Sequence, residues 1–292
     1  MILDTPIIGR MLQIPDSSHI IVQGVGLIGG SVAAAVKQRC AATRVTGIGR
    51  NQKRLLAAQN SGLIDDWAHA ISDISVESDA IVVVCLPVDL IPQAVLDAAA
   101  ATPLGVLLTD AGSVKQSIQA QINRSPQAAE RFVGAHPIAG SEQNGHEFAD
   151  ADLFVDKACI VTSGHINEEL TNRCCQFWKR LGASVTKLTT QEHDRALALT
   201  SHLPHIMAAV TADCVQQSDS EYVGSGFLDT TRVAAGDAQL WQQILCGNRT
   251  QVVQAIAQAN DRLDRLATAL QNEDDQSVTE FLEQAARIRR AL

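Results

Sequence analysis

The chain has 292 residues, 46% hydrophobic and 19% charged, enough for two ordinary globular domains, and a net charge of −9 that argues against nucleic acid as a partner. No apolar run is long enough to cross a membrane. The seven cysteines, Cys40, Cys85, Cys159, Cys174, Cys175, Cys214 and Cys246, are odd in number and scattered without a Cys-x-x-Cys pair, which points to reduced thiols in the cytoplasm rather than to disulfides or zinc.

Residues 1–16 carry Asp4, Arg10 and two prolines and lack the basic start and apolar core of a secretion signal. The first informative stretch is Ile20-Ile21-Val22-Gln23-Gly24-Val25-Gly26-Leu27-Ile28-Gly29-Gly30-Ser31. An apolar strand runs into a Gly-x-Gly-x-x-Gly turn that opens an alanine-rich helix, the fingerprint of dinucleotide binding. Gly24 permits the tight turn, Gly26 lets the backbone approach a pyrophosphate, and Gly29 lets the helix pack on the strand. The backbone N–H groups at the helix start, around Leu27, Ile28 and Gly29, would hold the phosphates. Residues 45–49 read as the second strand. An NAD-selective site carries Asp or Glu at its end. Here Gly49 stands there and Arg50-Asn51-Gln52-Lys53-Arg54 follows. No carboxylate would repel a 2′-phosphate, and Arg50 could meet one as a planar donor. The pattern favours NADP over NAD; the alternative is a solvated, basic first turn of the next helix.

Residues 79–87 are a β-branched run, hence a buried parallel strand, and they place Leu86 and Pro87 beside the nicotinamide ribose. Residues 105–110 are a further strand ending in Asp110-Ala111-Gly112-Ser113-Val114-Lys115. Loops after strands form the site in an open α/β sheet. Ser113 is either a helix N-cap or a substrate contact, and the local chemistry favours the cap. Residues 132–142 deliver His136 from a short strand into a loop with Pro137, Gly140 and Glu142. A lone histidine is usually structural, but one at a strand end facing a cofactor cleft can act as a general base. Residues 157–162 and 183–188 are strands, and 168–181 a helix with Cys174, Cys175 and Trp178.

Past Thr190 the periodicity is helical. Residues 192–210 read as one long helical pattern in which Pro204 breaks the hydrogen-bond ladder and can bend the axis, with His202 and His205 in it. A zinc reading of those two histidines is weak, because no acidic or Cys ligands accompany them. Residues 226–234, with the lone cation Arg232, read as a polar segment between helices. Residues 240–247, 251–270 and 277–292 complete a helical half, and Ser277-Val278-Thr279-Glu280 is a capping-box start. Its Ala/Leu/Ile faces carry few charges, which predicts contact with a second subunit. The domains are expected at 1–190 and 191–292.

These motifs, taken in order, resemble the prephenate/arogenate (cyclohexadienyl) dehydrogenases of tyrosine biosynthesis. The resemblance rests on the glycine turn, Asp110-x-Gly112-Ser113-Val114-Lys115, Gly134-x-His136-Pro137-Ile138-Ala139-Gly140, His193-Asp194, Ser201-His202-Leu203-Pro204-His205 and Gly226-Phe227-x-Asp229-Thr230-Thr231-Arg232. It implies an α/β fold, with an N-terminal Rossmann-type dinucleotide-binding domain and an all-helical C-terminal dimerisation domain that makes a homodimer. It makes His136 the catalytic histidine that hydrogen-bonds the ring 4-hydroxyl and Ser113 the serine that orients it. Arg232 would bind a substrate carboxylate, His205 would line the substrate site, and Glu142 would stand near its mouth. Arg232 comes from the helical half, so the resemblance places the active site between the domains. No fused mutase or regulatory domain is expected. The Gly49-Arg50 strand end resembles NADP-using members, and Glu142 would favour an ammonium, so arogenate is favoured over prephenate. Two rivals are another two-domain dehydrogenase of the β-hydroxyacid or imine-reductase kind, and a non-enzymatic NADP-binding sensor. The first would use a helical lysine instead of His136, and the second would not need His136, Ser113 and Arg232 together.

Overall fold

The computed structural model describes residues 19–40, 42–140, 143, 145–162 and 168–291. The reading of residues 1–16 and the role given to Glu142 fall outside the described residues. The chain separates into two compact units, Met1–His193 and Asp194–Leu292.

The first unit is built on eight strands: β1 (His19–Gln23), β2 (Arg44–Ile48), β3 (Asp66–Ala68), β4 (Ile81–Val84), β5 (Leu107–Asp110), β6 (Phe132–Pro137), β7 (Ala158–Thr162) and β8 (Ser184–Leu188). They form one sheet in the order β3-β2-β1-β4-β5-β6-β7-β8. All neighbours run parallel except β6 and β7. Every residue of β1, β4 and β5 is buried, as expected of parallel strands covered on both faces. The helices are α1 (Leu27–Arg39), α2 (Gln52–Asn60), α3 (Ile91–Ala101), α4 (Gln116–Ile122), α5 (Pro126–Ala129) and α6 (Glu168–Arg180), and α7 (Thr190–Leu197) carries the boundary between the units. Since β1 lies between β2 and β4, the strand order reverses beside it, and a crevice opens at the carboxyl ends of these strands. The sequence pattern does not reveal β3, because three residues are too few to show an alternation.

The core of this unit is anchored by Trp178, fully buried and edge-on to Phe154 and Phe177 with ring centroids 5.4 Å apart in both cases. Burying each such side chain contributes about 1.5–3 kcal/mol. The thiols around the sheet are held in their neutral form. Burial pushes Cys85 and Cys159 up, and Cys174 up to about 12, so these are packing groups rather than nucleophiles.

The second unit contains α8 (Leu203–Asp213), α9 (Ser225–Thr231), α10 (Ala238–Gly247), α11 (Arg249–Gln271) and α12 (Asp275–Arg290), with no strand among its described residues. Two local expectations need correction, and the ladder at Pro204 takes a particular form. A π-helical turn at Ala198–His202 precedes this proline, and in it Leu203 N–H reaches back five residues to Ala198 O. The wider turn leaves Pro204 in the first turn of α8, where its missing donor costs nothing. Residues 226–234 are helical: α9 continues into a 3₁₀ segment, Arg232–Ala235. The last helix is capped by Asp274 rather than Ser277, since Asp274 Oδ1 accepts Ser277 N–H at 3.1 Å and Oδ2 accepts the Ser277 hydroxyl. A carboxylate three residues earlier in the chain therefore takes the cap. No described helix is long and apolar enough to cross a membrane.

His19 on β1 is buried and its Nε2 shares a 2.7 Å hydrogen bond with Thr46 Oγ1 on β2. Burial, reinforced by Arg44, holds its pKa below the ordinary 6.5. The folded state therefore takes up this proton later than the unfolded chain. Its contribution to stability is complete above about pH 6.5 and is lost as the pH falls from there towards the lowered value. Urea unfolding at pH 7.5 and 5.5 is expected to show a smaller loss of stability on acidification in His19→Gln than in the wild type. Equal losses would contradict it.

Candidate active site

The glycine turn leaves β1 and enters α1. Gly24 adopts φ +95°, and a Cβ on it would lie 2.5 Å from Cys85 O. A Cβ on Gly29 would lie 2.1 Å from Gly24 O and 2.9 Å from Val22 Cγ1, so helix and strand touch through it. Gly26 differs: a Cβ there would meet nothing within 4 Å. It faces open space and is the N-cap of α1 with no side chain capping the helix. The intrahelical series starts with Gly30 N–H to Gly26 O at 2.8 Å, so the N–H groups of Leu27, Ile28 and Gly29 precede it. Backbone donors, an uncapped positive helix end and an open approach fit a pyrophosphate. Leu86 packs its Cδ2 over Gly24, and Pro87 is exposed just beyond β4.

At the end of β2, Gly49 donates to Ala68 O at 3.2 Å. Space does not demand a glycine there, because a Cβ would meet only the Leu55 side chain, at 3.5 Å or more. Arg50 lies before the helix rather than in its first turn, because Asn51 is the N-cap of α2 and accepts Arg54 N–H at 3.1 Å. Arg50, Lys53 and Arg54 are exposed, and among the described residues none of them has an ion-pair partner.

The loop after β5 is organised by a buried ion pair. Lys115 Nζ donates to Asp110 Oδ2 at 2.6 Å and to Gly112 O at 2.7 Å. The Asp110 carboxylate also accepts Gly112 N–H at 3.0 Å and, across the sheet, Ala135 N–H at 2.9 Å. Both side chains of the pair are at most 1% exposed. Gly134 makes room for it, since a Cβ there would press on Thr162 Oγ1 and on the Lys115 stem. The pair explains why Ser113 is not the N-cap: Lys115 holds the loop open until α4 begins at Gln116, and no side chain caps that helix. Ser113 is left half-buried in the loop.

His136 lies inside β6, one residue from its end, opposite Ile160 of β7 and next to the Ala135 amide that Asp110 grips. It is 9% exposed. Its Nδ1 is 2.9 Å from Nε2 of His193, a fully buried residue of α7. The sequence reading gave no role to His193, Asp110 or Lys115. Charged residues five apart in an otherwise apolar stretch were a usable signal for the pair. His193 enters the resemblance only within the His193-Asp194 motif, with no role attached.

In the second unit α8 packs against α9 and the Arg232–Ala235 segment. His205 stacks on Trp241 with ring centroids 3.6 Å apart and planes 13° apart, and Gly236 lies against the same indole. Burial lowers the His205 pKa, which favours the neutral ring, and its buried Nδ1 has no hydrogen-bond partner among the described residues. His202 is engaged differently. Asn248 Nδ2 lies 3.2 Å from its Nδ1 and donates to Asp194 O at 2.7 Å. Arg232 is exposed, with no ion pair among the described residues. No group of three metal-ligating side chains that could hold an ion occurs among the described residues.

A doubly wound sheet with this turn, followed by a helical unit, defines a nucleotide-binding domain joined to a helical domain. A family model for the prephenate dehydrogenase nucleotide-binding domain matches residues 32–187, and one for the prephenate dehydrogenase dimerization domain matches residues 189–284. The chain is 30% identical to the cyclohexadienyl dehydrogenase of Zymomonas mobilis, over 94% of this chain and 96% of that one. It is similar to the solved prephenate dehydrogenase of A. aeolicus in complex with hydroxyphenyl propionate and NAD+, with TM-score 0.87, 26% identity, and 94% and 98% of the two chains covered. It is also similar to Synechocystis arogenate dehydrogenase, with TM-score 0.80, 26% identity, and 94% and 99% covered. The chain belongs to the prephenate dehydrogenase family and is a dehydrogenase.

Breaking the Asp110–Lys115 pair by Asp110→Asn leaves a buried ammonium without its counter-charge, at an expected cost of about 3–5 kcal/mol. Replacing both, as Asp110→Asn with Lys115→Met, is expected to recover part of that in chemical denaturation. A single variant as stable as the wild type would refute the arrangement.

Proposed function

We propose that the chain catalyses the oxidative decarboxylation of arogenate to tyrosine, accepts prephenate less well, uses NADP in preference to NAD, and works as a homodimer. The observation that carries the coenzyme preference is the end of β2. Glycine stands there without a steric reason, and three cations with no ion pair among the described residues follow at Arg50, Lys53 and Arg54. A 2′-phosphate would meet donors and no carboxylate. The arogenate preference is supported by Glu142, a carboxylate suited to an ammonium. The relatives named for prephenate, cyclohexadienyl and arogenate substrates support the wider class. The homodimer is supported by the dimerization-domain match and by α12, which buries none of its residues and leaves Leu282 and Ile288 more than half exposed.

The bound dinucleotide supplies the hydride acceptor. The residues supply position and proton handling. Neutral His136 takes the C4 hydroxyl proton as hydride leaves that carbon, and Ser113 orients the hydroxyl. Arg232 grips a substrate carboxylate as a two-pronged donor. His205 offers its unpartnered Nδ1 to a polar group of the substrate. Loss of the ring carboxylate as CO2 makes the ring aromatic, so orientation matters more than acid–base strength.

Initial rates with each pairing of prephenate or arogenate with NAD or NADP test this reading. The highest kcat/KM is expected with arogenate and NADP. A preference for NAD would reduce Arg50 to a solvated loop residue, and a preference for prephenate would overturn the substrate choice. Turnover with neither acid would reopen the rival dehydrogenase and the sensor. His136→Asn is expected to lower kcat by about 10²–10⁴-fold with little change in KM. Arg232→Ala is expected to act chiefly on KM. An unchanged kcat or an unchanged KM, respectively, would remove that residue from the proposed site.

A further inference from the structure

We propose that His193 is a positioning residue that sets the tautomer of His136. This rests on His136 being the base proposed above. Two imidazole nitrogens 2.9 Å apart share one hydrogen, so one ring donates and the other accepts. The direction decides what His136 can do. If His136 carries its proton on Nδ1 and donates to His193 Nε2, its own Nε2 holds a lone pair and can take a hydroxyl proton. If His193 donates instead, His136 carries its hydrogen on Nε2 and cannot act as a base there.

The two backbones are fixed independently. His136 is held within the sheet by pairing with β7 and by the Asp110 carboxylate on the preceding amide. His193 lies in the first turn of α7, which is locked by a reciprocal cap. Thr189 Oγ1 accepts Glu192 N–H at 3.1 Å, and Glu192 Oε2 accepts both the Thr189 N–H and its hydroxyl at 2.8 Å. His193 N–H then bonds Thr189 O at 3.0 Å. A strand and a capped helix start thus hold the two rings in register.

The proton balance explains why a second histidine is suited to this place. Hydride leaves C4, the hydroxyl proton goes to His136 Nε2, and the electron pair of the bond to the departing CO2 enters the ring. The oxygen, now phenolic, takes the same proton back. No proton is released, so the site needs no exit path. It needs a base that keeps one tautomer and a partner that accepts from the transient imidazolium, a charge-assisted bond stronger than a neutral one.

The test is a set of initial-rate measurements on the coenzyme-loaded enzyme, with the substrate the wild type prefers, for His193→Phe, His193→Gln, His136→Asn and the double variant His136→Asn/His193→Phe. Phenylalanine keeps the ring and removes the acceptor; the glutamine amide oxygen replaces the acceptor. His193→Phe is expected to lower kcat about 10-fold or more at a nearly constant KM. His193→Gln should restore most of it, and the double variant should be no slower than His136→Asn alone. The proposal is overturned if His193→Phe keeps its kcat, if glutamine falls as far as phenylalanine, or if the two losses multiply. A His136→Asn variant with intact kcat would instead remove the base itself, and the positioning role with it. Coenzyme affinity measured on each variant shows whether the nucleotide-binding unit is folded.

Discussion

A carboxylate and an ammonium buried together must satisfy each other and every remaining polar group around them, or the site does not form. The bonds that meet this condition at Asp110 and Lys115 include Lys115 to Asp110 and to Gly112 O, and Asp110 to the amides of Gly112 and Ala135. One bond crosses from the end of β5 to β6 and fixes the peptide before His136. The others shape the loop that carries Ser113. Gly134 is small because the lysine stem passes over it. A single desolvated pair thus links the two segments that bear the proposed catalytic groups, and it gives them little freedom to drift.

The glycine turn was legible because its residues act through backbone geometry, which sequence states directly: the positive φ of Gly24 and the contact of Gly29 with Gly24 allow no side chain. The apolar runs of β1, β4 and β5 were legible for a similar reason, since burial on both faces leaves no polar alternation. His136 stood out by its place at the end of a strand. Other features depend on partners far along the chain. His193 lies 57 residues from His136, and only the fold brings the rings together. Ser113 looked like a cap because Ser before a helix usually is one; a lysine reaching backwards decided otherwise. Residues 226–234 looked irregular because their polar side chains hide a helix that packing stabilises.

The ends of β1 and β2, neighbours in the sheet, are both suited to an anion. At the turn, neutral glycines and raised thiol pKa values keep negative charge away from the helix start. At the end of β2, Gly49 stands where an NAD-selective site carries an acid, and the exposed cations Arg50, Lys53 and Arg54 follow it. In the helical unit His205, stacked on Trp241 and with its pKa lowered by burial, holds a buried Nδ1 that has no hydrogen-bond partner among the described residues. Such an atom favours a ligand able to bond it, because leaving it unmet costs desolvation energy.

The π-helical turn before Pro204 has a consequence for helical phase. Each residue of an α-helix advances about 100° around the axis. One extra residue in the ladder therefore rotates everything after it by roughly that angle. The helix before Ala198 and α8 after it are continuous along the chain without sharing a face. An apolar stripe drawn straight through residues 192–210 would point the wrong way at one end. Losing a single residue from this turn would leave composition and helicity almost unchanged, yet it would swing His205 away from Trp241.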